Sequence, residues 1–502
     1  MNQLLPKIHR GIIRFARRRM LVVALIGLMP VVARLAVLPK MPIPEPSIHD
    51  EFSYLLEADT FAHGRLTNPP HPMWQHFETF HVLQQPTYMS KYLPAPALFL
   101  ALGQVTTGYP WAGVLLMTGL MCAAICWMLQ GWVPPFWAML GGLLAVTRIG
   151  TFTYWQNGYM GGCLAAAAGA IILGAAPRLK RTGRWQFSAG LGAAAGVLLL
   201  TRPFEGTMLI VMVAAWTRRN LIPAMAVGAC FILWLGYYNY RGTGDPFEMP
   251  YRVHDKMYSA TSPFLFFETP RPVPEYRHVV MRELWVDWAI GVYRKERSDL
   301  KTAFEEKARV LWAFYAGEGM LPVLFPIGVY AAWRWRRQRV AILFLIVMLI
   351  VLGMVKQLQA HYAAPAAALV FLIYALAVSR LQRLAHGLPV GMLLMTASLV
   401  AFVAQTALPI EPPEQFRKDI VGQLGSGAHL VIVHYRPGHD IHHEWVQNLA
   451  DIDGSPIVWA REMNPEADGK LIRCFQGRKI WLLDADARPP KLMRVSESGD
   501  HH

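Results

Sequence analysis

Apolar residues fall in long runs separated by short polar or basic clusters, from about Met20 to Leu408. The runs occupy 20–38, 93–108, 111–130, 133–147, 159–176, 187–201, 203–216, 221–239, 319–333, 340–355, 362–379 and 388–408. Such runs predict a polytopic α-helical membrane protein of about 11 spans. The stretch 93–158 must cross an even number of times but holds three runs, so one of them is expected to be partial or to lie on the surface. After Glu411-Pro-Pro-Glu414 the pattern changes to short apolar strings, and this predicts a small α/β domain over 411–502.

Composition agrees with this reading. Of 502 residues, 54% are hydrophobic and 16% charged. Mean hydropathy is +0.28, which leaves too little polar surface to cover a soluble globule. The net charge of +15 would suggest a nucleic-acid partner in a soluble protein. Here much of the excess lies in connections between apolar runs, where it orients the chain, and no nucleic-acid role is assigned. Basic residues 7–19 and the clusters Arg178–Arg184, Arg218-Arg219, Arg334–Arg339 and Arg380–Arg383 all fit the cytoplasmic side. On this map the N-terminus is cytoplasmic, while loops 39–92 and 240–318 and the tail are outside, as in a bacterial-type inner-membrane protein. The five cysteines have no metal-ligand spacing, and an odd count leaves at least one unpaired.

Polar groups near a membrane are costly and need a reason. On the outer side the map collects His49, Asp50, Glu51, Arg65, His71, His76, Glu78, His81 and Lys91 in the first loop. Gln156, Asn157, Arg202, Glu205, Asn239, Arg241, Asp245, Lys356, Gln357, Gln359 and His361 follow in four further connections. Charge gathered at one face suits a catalytic cleft better than a transport path, which would place it at mid-span.

In the first loop, Pro42, Pro44 and Pro46 predict an extended approach. Ser47 with Asp50 has the spacing of a capping box. Phe52, Leu55 and Leu56 share one helical face, with Asp50, Tyr54 and Glu57 opposite, and Gly64 is a natural stop. These features predict an amphipathic helix on the membrane surface. Asp50 is then either a helix cap or a general base. Glu51 is its rival for the second role, about 100° away around the helix.

These residues carry a resemblance. Ile48-His-Asp-Glu-Phe-Ser-Tyr-Leu-Leu-Glu-Ala-Asp-Thr-Phe-Ala-His-Gly-Arg-Leu66 resembles the first outer loop of the GT-C glycosyltransferases. The similarity is greatest to the family 39-like branch of protein O-mannosyltransferases and aminoarabinose transferases. Tyr88-Met-Ser-Lys-Tyr-Leu-Pro-Ala-Pro96 resembles that family's Lys-Tyr-Pro-Pro element, with Leu93 and Ala95 departing from it. The resemblance implies a GT-C-like transmembrane domain over 1–410. It also implies a polyprenyl-phosphate-linked sugar donor, inversion at the anomeric carbon, and Asp50 as base toward an acceptor hydroxyl. The acceptor, whether glycan, lipid or protein, stays open.

Such a transfer needs a base and cations to receive the departing phosphate. Asp50 and Glu51 are the catalytic candidates. Arg202, Arg241, Lys91, Lys356 and His361 are the phosphate-binding candidates; a guanidinium binds two oxygens at once, and Arg202 comes first because Leu200 and Pro203 put it at a helix end near the membrane surface. Tyr54, Arg65, Tyr92 and Glu205 are assigned to substrate contact. A transporter or flippase of lipid-linked sugar precursors is the alternative function.

No metal site is assigned. His71, His76, Glu78 and His81 match no compact zinc spacing, although some relatives bind a divalent metal in this loop. His439 and His443 would share a helical face but lack the glutamate of a hydrolytic zinc motif. In the tail, Leu430–Tyr435, Ile457–Trp459 and Lys479–Leu483 are predicted strands and 441–450 a helix.

Overall fold

The computed structural model describes residues 4–266, 272–385, 389–407 and 416–495. The boundary sequence Glu411–Glu414 lies outside them. Among the described residues, five helical segments are long and apolar enough to cross a membrane: Arg19–Ala36, Trp111–Trp132, Gly162–Thr182, Ile222–Thr243 and Ala360–Leu384. Leu300–Tyr315 and Met320–Trp333, bent by 105° at a short break, would make a sixth as one broken span. Shorter apolar helices pack among them, including Ala95–Thr107, Trp185–Leu199 and Pro203–Thr217. The stretch 93–158 forms one long helix, Trp111–Trp132, between two short ones, Ala95–Thr107 and Pro135–Ala145.

The helical core is built from small residues. Ala165–Ala168 are buried on the Gly162–Thr182 helix, where short side chains let backbones approach. Gly169 shows why: a Cβ there would collide with the Pro365 carbonyl. This close approach seats the tight turn Ala360–Ala366, which carries His361.

The first loop folds as the helix His49–Ala62, a short turn at Trp74–Phe77, and a hairpin of β1 (Val82–Leu83) and β2 (Met89–Ser90). The loop helix is not the surface-lying amphipathic helix predicted. Glu51, Glu57 and Asp59 are all buried, so three of its acids face protein rather than water. The capping box also differs. Ile48 is the N-cap, and Ser47 donates its backbone N–H to Glu51 Oε2 at 2.8 Å, so Asp50 does not cap.

The tail forms a four-stranded sheet in the order β4-β3-β5-β6. Strands β3 (His429–His434), β4 (Ile457–Arg461) and β5 (Lys479–Asp484) are parallel, and β6 (Lys491–Arg494) runs antiparallel to β5. The three predicted strands are present. The predicted helix at 441–450 is an irregular segment. Its backbone N–H groups are claimed by side chains: Trp445 donates to the Tyr435 hydroxyl, and Val446 to Glu444 Oε1. The helix Pro465–Cys474 was not predicted, although Asn464 caps it, Pro465 opens it and Glu466 and Asp468 fill its first turn.

The tail is joined to the first loop through a shared core. Leu430, Ile432, Val458 and Phe475 pack with Leu56, Phe77, Val82 and Tyr88. Hydrogen bonds cross the same seam. His76 Nδ1 meets the Arg461 carbonyl at 2.9 Å, Gln447 donates to Thr79 at 3.1 Å, and Ala450 N–H donates to Asp59 at 3.0 Å. One face of β3 serves this seam. The other packs Val431 and Val433 on Trp459 and Leu483, which explains an apolar run without alternation.

Candidate active site

Asp50 and Glu51 share a helix turn but point to different surroundings. Glu51 is 4% exposed and accepts backbone N–H groups from Ser47 at 2.8 Å and Tyr159 at 2.9 Å. A Cβ on Gly158 would collide with Glu51 Oε1, so the carboxylate is clamped between two chain segments. Asp50 keeps 27% of its side chain exposed. Its Oδ1 accepts the Tyr92 hydroxyl. Its Oδ2 lies 3.0 Å from His49 Nδ1 and 3.7 Å from His81 Nε2. Burial alone would raise the Asp50 pKa, but His81, His49 and the Tyr92 hydroxyl hold it well below the usual carboxylate range. Asp50 is therefore an ionised carboxylate with a route to solvent.

Local backbone fixes this cluster. His81 sits at φ +62°, in the left-handed region. Its carbonyl accepts from Ser53 Oγ at 2.7 Å and from Lys91 N–H at 3.0 Å, which ties the hairpin to the loop helix. The hairpin then delivers Lys91 and Tyr92, and the Tyr92 ring stacks on Tyr54 with centroids 4.6 Å apart.

The proposed cations divide. Lys91 is buried, with its Nζ 5.0–5.2 Å from the ring centroids of Tyr92, Tyr251 and Trp285. Burial pulls its pKa down to about 8, against Asp50 and Asp255. Arg202, at the N-terminus of the helix Pro203–Thr217, lies 4.4 Å over the Tyr362 ring, with Glu205 in the helix's first turn. His361 is next to Tyr362, and its Nδ1 is 3.2 Å from the Tyr154 hydroxyl. Lys356 donates to Thr261 Oγ1 at 2.6 Å, and burial brings its pKa to about 8. Its segment is held by the buried pair Lys307–Glu296 at 2.8 Å, since Glu296 also accepts Gln357 N–H.

Two expected residues lie apart. Arg241 is exposed near the end of the helix Ile222–Thr243, over the Tyr237 ring and hydrogen-bonded to its hydroxyl. Arg65 follows the far end of the loop helix, about 20 Å along its axis from Asp50. Tyr54, Tyr92 and Glu205 lie with the cluster.

The two histidine groups considered for metal also separate. His71 bonds Asp453, His76 bonds the Arg461 carbonyl, and Glu78 accepts the Tyr258 hydroxyl. Only His81 of that set reaches Asp50. His439 faces Asp486 at 2.7 Å, in an irregular segment rather than a helix. Sequence reasoning gave no role to His49, Tyr251, Trp285 or Tyr362. His49 precedes Asp50 in the quoted motif and was the one readable signal. The others come from remote segments.

No family model and no curated protein matches the sequence. Solved structures match its fold. ArnT from Cupriavidus metallidurans bound to undecaprenyl phosphate aligns at TM-score 0.56 and 12% identity, over 91% of this chain and 93% of that one. The same protein in the apo state aligns at 0.53 and 13%, over 91% and 92%. The oligosaccharyltransferase of Archaeoglobus fulgidus, solved with Zn and sulfate, aligns at 0.50 and 13% over 82% of this chain. This chain spans 60% of that enzyme's length. The chain thus shares its fold with these two proteins.

Proposed function

We propose that this chain is an inverting glycosyltransferase that moves a sugar from a polyprenyl-phosphate-linked donor to an acceptor hydroxyl. The observation that carries the reading is an ionised, solvent-reachable Asp50 facing buried cations. The fold shared with ArnT, which was solved with undecaprenyl phosphate, supports the donor class. No observation favours the transporter alternative.

In the proposed step Asp50 takes the proton of the acceptor hydroxyl. The acceptor oxygen forms a bond to the anomeric carbon from the face opposite the phosphate. The bond from that carbon to the phosphate oxygen breaks, and the polyprenyl phosphate leaves with the electron pair. Arg202 receives the growing negative charge, aided by Lys91 and Lys356, and His361 borders the same pocket. Backside attack gives inversion. Tyr92 and His49 orient Asp50, while Tyr54 and Glu205 hold Tyr92 and Arg202 in place. Glu51 is a positioning residue, and Arg241 and Arg65 have no part in the chemistry.

The same reading puts the membrane domain at 1–410 with about 11 spans, a cytoplasmic N-terminus, and the site on the outer face. In this reading the described part of the tail, 416–495, closes one side of the cleft. Its His442 ring stacks on His49 at 5.7 Å.

The test is transfer by the purified protein from a polyprenyl-phosphate sugar, with the anomeric configuration of the product read by NMR. Inverted product that disappears in a folded Asp50→Asn variant supports the reading. Full transfer by that variant refutes it.

A further inference from the structure

At the end of the helical body away from Asp50, positive charge and apolar space meet. The helix Gly162–Thr182 starts beside the candidate site, where a Cβ on Gly162 would press on His361. It spans 21 residues, about 30 Å along its axis, and ends with Arg178, Lys180 and Arg181. No carboxylate balances this end. Its basic residues fall in the stretches 1–44, 79–204, 206–244 and 319–410, none of which contains Asp or Glu. The charged neighbours of Arg178 are Arg19, Arg181 and Arg337, all of one sign.

Three of the cations are used by the fold. Arg178 donates to the Gly174 and Trp127 carbonyls at 2.7 and 2.8 Å, Lys180 to that of Trp216 at 2.7 Å, and Arg337 to that of Gly131 at 2.6 Å. Arg181 and Arg184 are exposed, and neither side chain has a hydrogen bond or ion pair among the described residues.

Beside them lies a groove of about 320 Å³, open along one side. Its walls are Trp127, Ile171, Ala175, Phe187 and Gly190, and Gln186 is its polar member. The Arg178 guanidinium, 3.9 Å over the Trp127 ring, holds that wall in place. Ile171, Ala175 and Arg178 share one helical face. Ile171 lies about 16 Å along the axis from the helix end, so the groove descends from the charged turn into membrane depth. Arg184 precedes Gln186 by two residues, which puts free cations at the mouth. Trp185 between them is 63% exposed, as suits a ring at headgroup level.

An apolar groove under an unbalanced positive mouth complements an acidic headgroup joined to an acyl chain. A free anion would leave the groove unfilled, and a neutral lipid would leave the arginines unpaired. We propose that this groove binds one anionic phospholipid, with an acyl chain along Trp127, Ile171, Ala175 and Gly190 and its phosphate on Arg181 and Arg184. In the topology proposed above, the lipid comes from the cytoplasmic leaflet. The site does not rest on the transferase reading, and its distance from His361 separates it from the donor pocket.

The test titrates full-length protein in neutral detergent with phosphatidylglycerol or phosphatidylcholine, read by native mass spectrometry. One phosphatidylglycerol per chain should stay bound under conditions that strip phosphatidylcholine. Arg181→Gln with Arg184→Gln should weaken its binding by about 30-fold, the effect of two arginines near a membrane surface. Gly190→Leu tests the groove. A Cβ there meets nothing within 4 Å, so a leucine can enter the groove, and it should exclude the lipid. Arg334→Gln with Arg336→Gln removes equal charge from another exposed turn and should bind as the parent does. Thermal melts confirm that the variants fold, and phosphatidylglycerol should raise the melting temperature of the parent and this control alone. Equal retention of both lipids, parent-like binding by either groove variant, or an equal loss in the control overturns the site. Complete displacement by inorganic phosphate at constant ionic strength, or one-for-one displacement by a polyprenyl phosphate, overturns it too. None of these outcomes changes the expectation for Asp50→Asn.

Discussion

The loop helix His49–Ala62 puts similar acids to different uses. Asp50, in its first turn, stays partly exposed, ionised and near Lys91. Glu51, Glu57 and Asp59 are instead buried and bonded to structure: Glu51 to two backbone N–H groups, Glu57 to the Tyr238 hydroxyl, and Asp59 to Gln104 and Ala450. A carboxylate's residue type therefore says little about its task. Access to solvent and the identity of its donors decide it.

The contrast can be broken by mutation. Asp50→Asn should lower kcat by about 10²–10⁴-fold, the range for a lost general base, with the melting temperature nearly unchanged. Glu51→Ala should do the opposite. It strands the Ser47 and Tyr159 N–H groups and should cost about 2–4 kcal/mol of stability. Unfolding in detergent, with activity expressed per folded molecule, separates the two. A Glu51 variant that is stable but catalytically dead would reverse the assignment.

Glu57 sharpens the comparison through pH. Burial raises its pKa to about 8, from an ordinary 4.5, against the Tyr238 and Ser90 hydrogen bonds. The fold favours its neutral form. That stability is fully present below pH 4.5 and is lost as pH rises through about 8. Glu57→Gln should flatten unfolding against pH in this window, removing a slope of at most about 1.4 kcal/mol per pH unit. The smallest effect belongs to Arg241→Ala. This exposed side chain lies away from the cluster, and transfer should stay within about twofold of the parent. A large loss in kcat would return Arg241 to the site.

Much of this was legible where the signal is local. The loop motif located Asp50, Lys91 and Tyr92, and Gly64 follows the helix end at φ +70°. Continuous apolar strings marked β3, β4 and β5. What depends on distant partners was not legible. His76 meets Arg461, and Asp59 meets Ala450, across more than 380 residues in each case, so the docking of the tail left no local trace. The helix expected at 441–450 is absent for a nearer reason, because Tyr435, just past β3, and Glu444 take its N–H groups. Arg202 and Arg241 both stand beside apolar runs, and the helix-end position that put Arg202 first is a local signal. Only packing against Tyr362 brought one of them to the site.

The central claim is that Asp50 and the cations facing it form one catalytic pocket for a lipid-linked phosphate. The most direct measurement is a structure of the full chain with a polyprenyl phosphate bound. The account predicts the phosphate oxygens within hydrogen-bond distance of Arg202 or Lys91, with Asp50 open beside them to an acceptor. A phosphate bound away from the first loop, with Asp50 sealed from the lipid, would contradict it.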